Sequence, residues 1–199
     1  MADRQATIGY EDGARAVELA REAVEGYVRR GQRTNPGSMR DAFYQRTGAF
    51  VRLTTRRGRG RLRGCAGTYR TDDQLGLAIV EAAIGAAGEE SGGSAVQRTE
   101  LTDLRVSVCL VENVTLTDDP VADVELGSHA VAVDRGSNHG WIYPTVPVEN
   151  DWSAERFFSR ACRKAGLPPT AWADDDTVVS LIDGAVFRER DDDGVDQLA

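Results

Sequence analysis

The chain has 199 residues, 41% of them hydrophobic and 28% charged, and a formal net charge of −8 at pH 7. A chain of this length can bury a substantial core as one domain or as two closely packed lobes. No apolar run is long enough to cross a bilayer and the N-terminus has no charged-then-apolar leader, so the sequence predicts a cytoplasmic protein without a membrane partner.

The charge balance is unusual because acidic residues outnumber basic ones by 32 to 24, and Lys164 is the only lysine. An acidic surface on which arginine replaces lysine fits a high-salt cytoplasm or a GC-rich genome. In molar salt the Debye length falls to about 3 Å, so self-repulsion of such a surface costs little. We therefore interpret the acidity as a solubility adaptation of a halophilic, haloarchaeal protein and not as a sign of its partners.

The first part of the chain predicts one helix followed by a two-stranded hairpin. Apolar residues recur at helical spacing over Glu11–Arg30, and Gly31 is well placed to end this helix. Ala49–Thr55 and Arg61–Tyr69 have the composition of strands, and the turn between them predicts that they pair antiparallel.

A second helix and a third strand follow. An alanine-rich apolar run predicts a helix from Gln74 to about Ala87, with Thr71–Asp73 as its cap. The glycine- and serine-rich stretch that ends at Ser94 predicts a mobile loop. Arg105–Val111 alternates as a strand, with one face formed by Val106, Val108 and Leu110.

The second half predicts four further strands and one helix. Ala130–Val133 and Gly140–Tyr143 suit two strands, and a helix capped by Ser153 runs through Lys164. A tight hairpin is predicted at Asp183–Gly184, between strands Val178–Ile182 and Ala185–Arg188.

These elements predict an α+β fold with mixed or antiparallel sheets and flanking helices. The predicted domain spans residues 11–189. Residues 190–199 are acidic and are predicted to form a disordered tail.

The segment Arg61–Thr68 places a thiol, Cys65, between two glycines in a stretch rich in arginine. In an alternating strand Arg61, Arg63 and Cys65 share one face, and nearby positive charge favours the thiolate. Guanidinium groups suit the capture of phosphate or carboxylate. The sequence therefore predicts an anionic ligand beside Cys65, with a solvated hairpin tip and a small buried cysteine as the alternative interpretations.

Cys65 is also the candidate nucleophile, because Cys109 and Cys162 lie in packing patterns and are predicted to be structural. A catalytic cysteine needs an adjacent base, and we take His129 as the candidate. A Cys65–His129 pair, with Glu149 orienting the imidazole, would be typical of the active site of a thiol hydrolase or transferase. The spacing of these residues does not indicate a metal site, and no known motif for nucleotides or DNA is present.

Three segments carry a family resemblance. Leu62–Thr68 reads LRGCAGT and resembles the LRGC(I/V)GT signature of the AMMECR1 family, with Ala66 in place of a branched residue. Gly127–Ala130 resembles the family's G-x-H-G segment, and Ile142–Glu149 resembles its LLPQVxxE segment. The match covers about residues 14–189, but residues 88–96 replace the family's Asp-x-Arg-Phe-Pro-Pro element.

The resemblance implies a two-lobed mixed α/β arrangement whose shared residues line one groove between the lobes. It implies Cys65, His129 and Glu149 as catalytic candidates. The ligand contacts that it implies, together with the arginine cluster, are Arg61, Arg63, Gly64, Gly67, Thr68 and Pro144. It further implies a genomic association, in some microbes, with a Memo-like dioxygenase-type protein and a radical-SAM protein.

Two functions follow from these observations. The first is a small enzyme that acts on an anionic small molecule or a modified RNA. The second is a non-catalytic module that binds RNA, a nucleotide or a protein partner, and a scaffold without a small ligand is a third possibility. The sequence assigns no cofactor.

Overall fold

The computed structural model describes residues 8–37, 40–58, 60–88, 93–192 and 194–199. Contacts divide the chain into two compact units. The first contains Met1–Glu112 and Ala185–Leu198, and the second contains Asn113–Gly184 with Ala199. Both units combine antiparallel strand pairs with helices, so the predicted α+β class with two lobes is confirmed.

The helices of the first unit begin and end close to the predicted residues. Helix α1 spans Tyr10–Arg30 and ends at Gly31, which has φ +65° and whose N–H donates to the carbonyl of Tyr27 at 2.7 Å. Helix α2 spans Leu75–Ala87, and a short 3-10 helix, Arg98–Asp103, precedes the third strand.

The predicted cap of α2 at residues 71–73 is wrong, because the chain bends at residues 72 and 73 and the helix begins only after Gln74. Gln74 forms an isolated antiparallel bridge with Arg46, and the N–H of Leu75 donates to the carbonyl of Gln45 at 2.8 Å. Gln74 therefore occupies the N-cap position. Of the stretch predicted to be a mobile loop after α2, residues 89–92 lie outside the described residues.

Strand β1 (Ala49–Thr55) lies between β2 (Leu62–Thr68) and β3 (Leu104–Leu116), and both pairings are antiparallel. The core of this unit is one cluster that joins the sheet to α1 and α2. The sheet residues in that cluster include Ala49, Val51, Leu53, Val106, Val108 and Leu110. The predicted shared face of Val106, Val108 and Leu110 is thus confirmed, and the residues of the opposite face, Ser107, Cys109 and Val111, are buried as well.

The second unit contains strands β4 (Ala130–Arg135) and β5 (Asn138–Ile142), with β4 paired to the first half of β6 (Val178–Glu189). Short helices α3 (Pro120–Asp123) and α4 (Val146–Glu149) precede the longer α5 (Ala154–Lys164). The predicted cap of α5 is confirmed, since Ser153 Oγ accepts the N–H of Arg156 at 3.3 Å. The apolar side of α5 packs on β4 and β6 through Phe157, Phe158, Ala161 and Cys162.

The predicted hairpin at Asp183–Gly184 is wrong, because β6 continues through both residues. Its first half pairs with β4, and its last residues pair with a seventh strand, β7 (Val195–Gln197). Backbone hydrogen bonds to these partner strands outweigh the local turn propensity of an Asp-Gly pair.

The tail predicted to be disordered therefore contains β7, and the Oη atom of Tyr10 donates to the carbonyl of Val195 at 2.7 Å. The acidic tail also meets arginines, because Asp191 accepts from Arg105 at 2.6 Å and from Arg56 at 3.0 Å. These hydrogen bonds hold the pKa of Asp191 below its usual value. Among the described residues no helix is both long and apolar enough to span a bilayer.

Candidate functional site

Cys65 lies within β2, directly opposite Arg52 on β1, and Arg52 in turn pairs with Ser107 on β3. Residues opposite each other in antiparallel strands share a face, with Cβ atoms about 4.5–5.5 Å apart. Arg52 and Ser107 are 8% and 5% exposed, whereas Cys65 is partly exposed. We call these three residues the Cys65 row: a buried guanidinium and hydroxyl beside a thiol that solvent reaches.

A β-bulge separates Arg63 from the Cys65 row. Gly64 and Leu62 pair with consecutive residues of β1, so Arg63 is the extra residue of β2 at that point. The bulge shifts the alternation of side chains, and Leu62 shares the face of Cys65 instead of Arg63. The prediction that Arg61, Arg63 and Cys65 share one face is therefore wrong, because strict alternation does not hold across a bulge.

The guanidinium of Arg63 binds within the protein. Its Nε and Nη2 atoms donate to the carboxylate of Glu100 at 2.6 and 2.9 Å. Nη1 and Nη2 also donate to the carbonyls of Ser94 and Ala95 at 2.9 and 3.0 Å. Four of its five N–H groups are thus engaged, and the side chain is 12% exposed. This bidentate pair gives Arg63 a structural role and does not support the predicted ligand contact.

Arg61 lies in the turn before β2, where its N–H donates to Thr55 Oγ1 at 3.1 Å and its carbonyl accepts the N–H of Thr55 at 2.9 Å. Its side chain is exposed, and its predicted contact with a ligand stays a prediction. The neighbouring Arg57 forms an ion pair with Asp103 at 3.4 Å, and Arg59 lies outside the described residues.

The glycines and the threonine of β2 have structural explanations. Gly67 has φ +140°, and a Cβ atom there would lie 2.2 Å from the carbonyl oxygen of Ala49 and 2.6 Å from Phe50 Cα. Thr68 closes the strand, since its Oγ1 accepts the N–H of Arg70 at 3.0 Å. Gly64 is buried opposite Leu53 in the register. Close pairing of β1 with β2 accounts for Gly67 and Thr68, and ligand contacts by Gly64, Gly67 and Thr68 stay predictions.

The three thiols differ in environment. All three cysteines are described and none forms a disulfide. Cys109 is fully buried, and burial, followed by the proximity of Cys65 and Glu112, raises its pKa far above the usual value. Burial likewise raises the pKa of Cys162. Protonated, enclosed thiols are poor nucleophiles, so Cys65 is the one candidate for ligand contact or reaction.

His129, in the second unit, has hydrogen bonds on both ring nitrogens. Nδ1 accepts the backbone N–H of Glu125 at 2.9 Å, and Nε2 lies 2.9 Å from Asp183 Oδ1. Asp183 is held in turn by Asn113, whose Nδ2 donates to Oδ2 at 3.2 Å. The carboxylate on the Nε2 side of the imidazole is therefore Asp183, and the orienting role of Glu149 stays a prediction. This pair could not be predicted from the sequence, because Asp183 and Gly184 have the pattern of a turn.

The geometry of His129 predicts its tautomer. Because Nδ1 accepts a hydrogen bond, the neutral ring carries its proton on Nε2 and donates it to Asp183. We expect ¹⁵N–¹H correlation spectra at neutral pH to show the Nε2–H tautomer, and an Asp183→Asn variant to retain it, since the amide oxygen still accepts. A spectrum with the proton on Nδ1 would contradict the assignment.

Glu149 ends α4, is exposed, and its Oε1 accepts the hydroxyl of Thr145 at 2.9 Å. Pro144 is buried in the turn between β5 and α4. His139 is exposed in β5, with Nδ1 2.7 Å from Asp134 Oδ1. Roles in ligand binding or catalysis for Glu149 and Pro144 stay predictions. Within the described part of the chain, no group of three or more His, Cys, Asp or Glu residues has the arrangement of a metal site.

Comparisons with known proteins agree with the motif resemblance. Residues 17–187 match the family model described as AMMECR1. A protein of Halobacterium salinarum is 60% identical over 200 residues, which cover 96% of this chain and 95% of that protein. A protein of Methanosarcina mazei is 33% identical, with 92% and 94% covered. The crystal structure of an uncharacterized protein from Pyrococcus horikoshii has a TM-score of 0.87 at 30% identity and covers 96% of this chain and 98% of that one.

Proposed function

Because the chain belongs to the AMMECR1 family and carries the LRGCAGT segment on β2, we propose that it is a small accessory protein that binds an anionic ligand at the Cys65 row. The observation that carries this proposal is the position of Arg52, a buried guanidinium directly across the strand pair from a partly exposed thiol. A charge in a low-dielectric environment acts on a neighbouring anion more strongly than one in water.

The chemistry of the row indicates the class of ligand. A guanidinium favours phosphate or carboxylate oxygens, and the Ser107 hydroxyl can donate or accept one further hydrogen bond. The thiol of Cys65 would be the first group of the row that an incoming molecule meets. A small phosphate- or carboxylate-bearing molecule suits such a site better than a bulky neutral one.

An accessory role is favoured over an enzyme because His129, the predicted base for Cys65, has no lone pair to spare. His129 uses Nδ1 as an acceptor and directs Nε2 to Asp183, whereas a general base must accept the proton that it removes. The family's association with Memo-like and radical-SAM proteins suits a ligand-binding partner in a shared pathway. A cysteine enzyme and a module that binds RNA, a nucleotide or a protein are the alternatives.

Alkylation of Cys65 tests the proposal. Iodoacetamide should label Cys65 at least about tenfold faster than Cys109 and Cys162, because buried thiols react only after local opening that costs about 1.4 kcal/mol per factor of ten. Inorganic phosphate or citrate should slow labelling of Cys65 when sodium chloride keeps the ionic strength constant. Peptide mass spectrometry measures each rate separately.

Two variants complete the test. Arg52→Met should abolish protection by the anions, whereas Arg57→Met, which removes an equally charged but exposed side chain, should leave it intact. If Arg52→Met does not fold, Ser107→Ala examines the same row with a smaller change. Equal, slow labelling of all three cysteines would overturn both the accessory and the enzymatic function, and rapid labelling of Cys65 without protection would overturn the anionic ligand.

A further inference from the structure

The outer face of α5 carries a positive stripe in a protein of net charge −8. Arg156, Arg160, Arg163 and Lys164 are all exposed, while the opposite side of the helix packs in the core of the second unit. At a rise of about 1.5 Å per residue, Arg156, Arg160 and Lys164 follow one another at intervals of about 6 Å along one side of the helix. Glu155 is the one acidic residue of α5.

This stripe differs from several other arginines of the described chain in its partners. Arg21, Arg56, Arg105 and Arg135 each bind a carboxylate. No ion pair joins Arg156, Arg160 or Arg163 to an acidic residue of the described chain. The charges of these three arginines are therefore not neutralised by acidic side chains of the described residues.

Two of these arginines are stacked on an aromatic ring. The guanidinium carbons of Arg156 and Arg160 lie 5.7 and 5.4 Å from the centre of the Trp152 ring, and Lys164 Nζ lies 3.9 Å from the centre of the Trp141 ring. A guanidinium stacked on an indole keeps its in-plane N–H groups directed outward and loses little further freedom when it binds an anion. Trp152 thus holds two guanidinium groups in place to donate hydrogen bonds to phosphate.

The helix dipole does not explain the whole stripe. Arg163 and Lys164 lie in the last turn of α5, where the dipole favours a positive charge. Arg156 lies in the first turn, where the dipole disfavours one. A cation kept there, stacked and without an acidic partner, indicates that the face is built for an anion that the chain does not supply.

We propose that the face formed by Arg156, Arg160, Arg163 and Lys164 on Trp152 binds the phosphate backbone of single-stranded nucleic acid. Regularly spaced cations match a repeating anion such as a phosphate backbone. An acidic protein segment would not offer its carboxylates at so regular a spacing. This surface lies entirely within the second unit, so the proposal made for it does not depend on the function proposed for the Cys65 row.

Fluorescence anisotropy with a labelled oligouridine tests this surface over a salt series, with circular dichroism to verify folding at each concentration. Four phosphate contacts predict a slope of log K against log salt of about −2.8. The double variant R156Q/R160Q should reduce this slope by about 1.4 and weaken binding about tenfold at about 0.2 M salt. The double variant R30Q/R57Q, with the same change of charge at exposed residues of the first unit, should bind like the unchanged protein.

Three results would overturn the proposal. One is the absence of binding at the lowest salt at which the protein is folded. Another is an equal loss in both double variants, which would place the nucleic acid elsewhere or make the effect one of net charge. The third is tighter binding of an oligoglutamate than of the oligouridine, which would assign the face to an acidic protein.

Discussion

Replacing Gly67 by alanine is expected to destabilise the protein by about 3–5 kcal/mol, from backbone strain and a steric clash together. The backbone at Gly67 has φ +140°, which side chains rarely tolerate. The added Cβ would also meet the carbonyl oxygen of Ala49 at 2.2 Å. Because that oxygen belongs to the neighbouring strand, relief requires β1 and β2 to separate.

Urea unfolding followed by circular dichroism measures the loss, and Gly58→Ala is its matched control. Gly58 also has a positive φ, +68°, but nothing lies within 4 Å of the position of its Cβ atom. We expect this control to cost about 1 kcal/mol, from backbone strain alone. Equal losses of stability at the two positions would show that the clash with β1 contributes nothing to the effect of Gly67→Ala.

Removal of the Arg63 guanidinium is expected to have the second largest effect. Arg63→Met should destabilise the protein by about 2–4 kcal/mol, because it leaves the Glu100 carboxylate and two carbonyls without their donor. Arg61→Met, two residues away and exposed, should change stability by less than about 0.5 kcal/mol. Similarly small losses of stability in both variants would contradict the structural role of Arg63.

The Arg63–Glu100 pair also predicts a pH dependence. The hydrogen bond from Arg63, and then that from the Gln97 backbone, hold the pKa of Glu100 below its usual value. A lowered pKa in the folded state means that the unfolded chain binds more protons in acid. The pair therefore stabilises the protein fully above the pKa of glutamate in the unfolded chain, and it loses its contribution as pH falls from there through the lowered pKa of the folded state. This part of the dependence should be absent in Glu100→Gln.

These structural roles sharpen the interpretation of the LRGCAGT segment. Arg63 is the residue of a bulge with its own carboxylate, Gly67 permits the close approach of β1, and Thr68 closes the strand. The remaining polar member, Cys65, is partly exposed and opposite a buried guanidinium. The proposed ligand contact in this segment is therefore Cys65, together with Arg52 on the neighbouring strand.

The sequence by itself determined the elements whose signals are local. Gly31 ends α1, Ser153 caps α5, and Val106, Val108 and Leu110 share one face of β3. Each of these features depends on residues within one or two turns or on the period of a single strand. Such short-range preferences act in any compact structure, which is why the class of the fold followed from them.

Only the tertiary structure decided the residues that surround each candidate group. Arg63 meets Glu100, 37 positions away, and His129 meets Asp183 because β6 continues where the sequence indicates a turn. A one-residue bulge removed Arg63 from the face of Cys65, and the register of β1 brought Arg52 there instead. Pairing between strands is set by the summed energy of many distant contacts, so no local pattern records which partner a side chain finds.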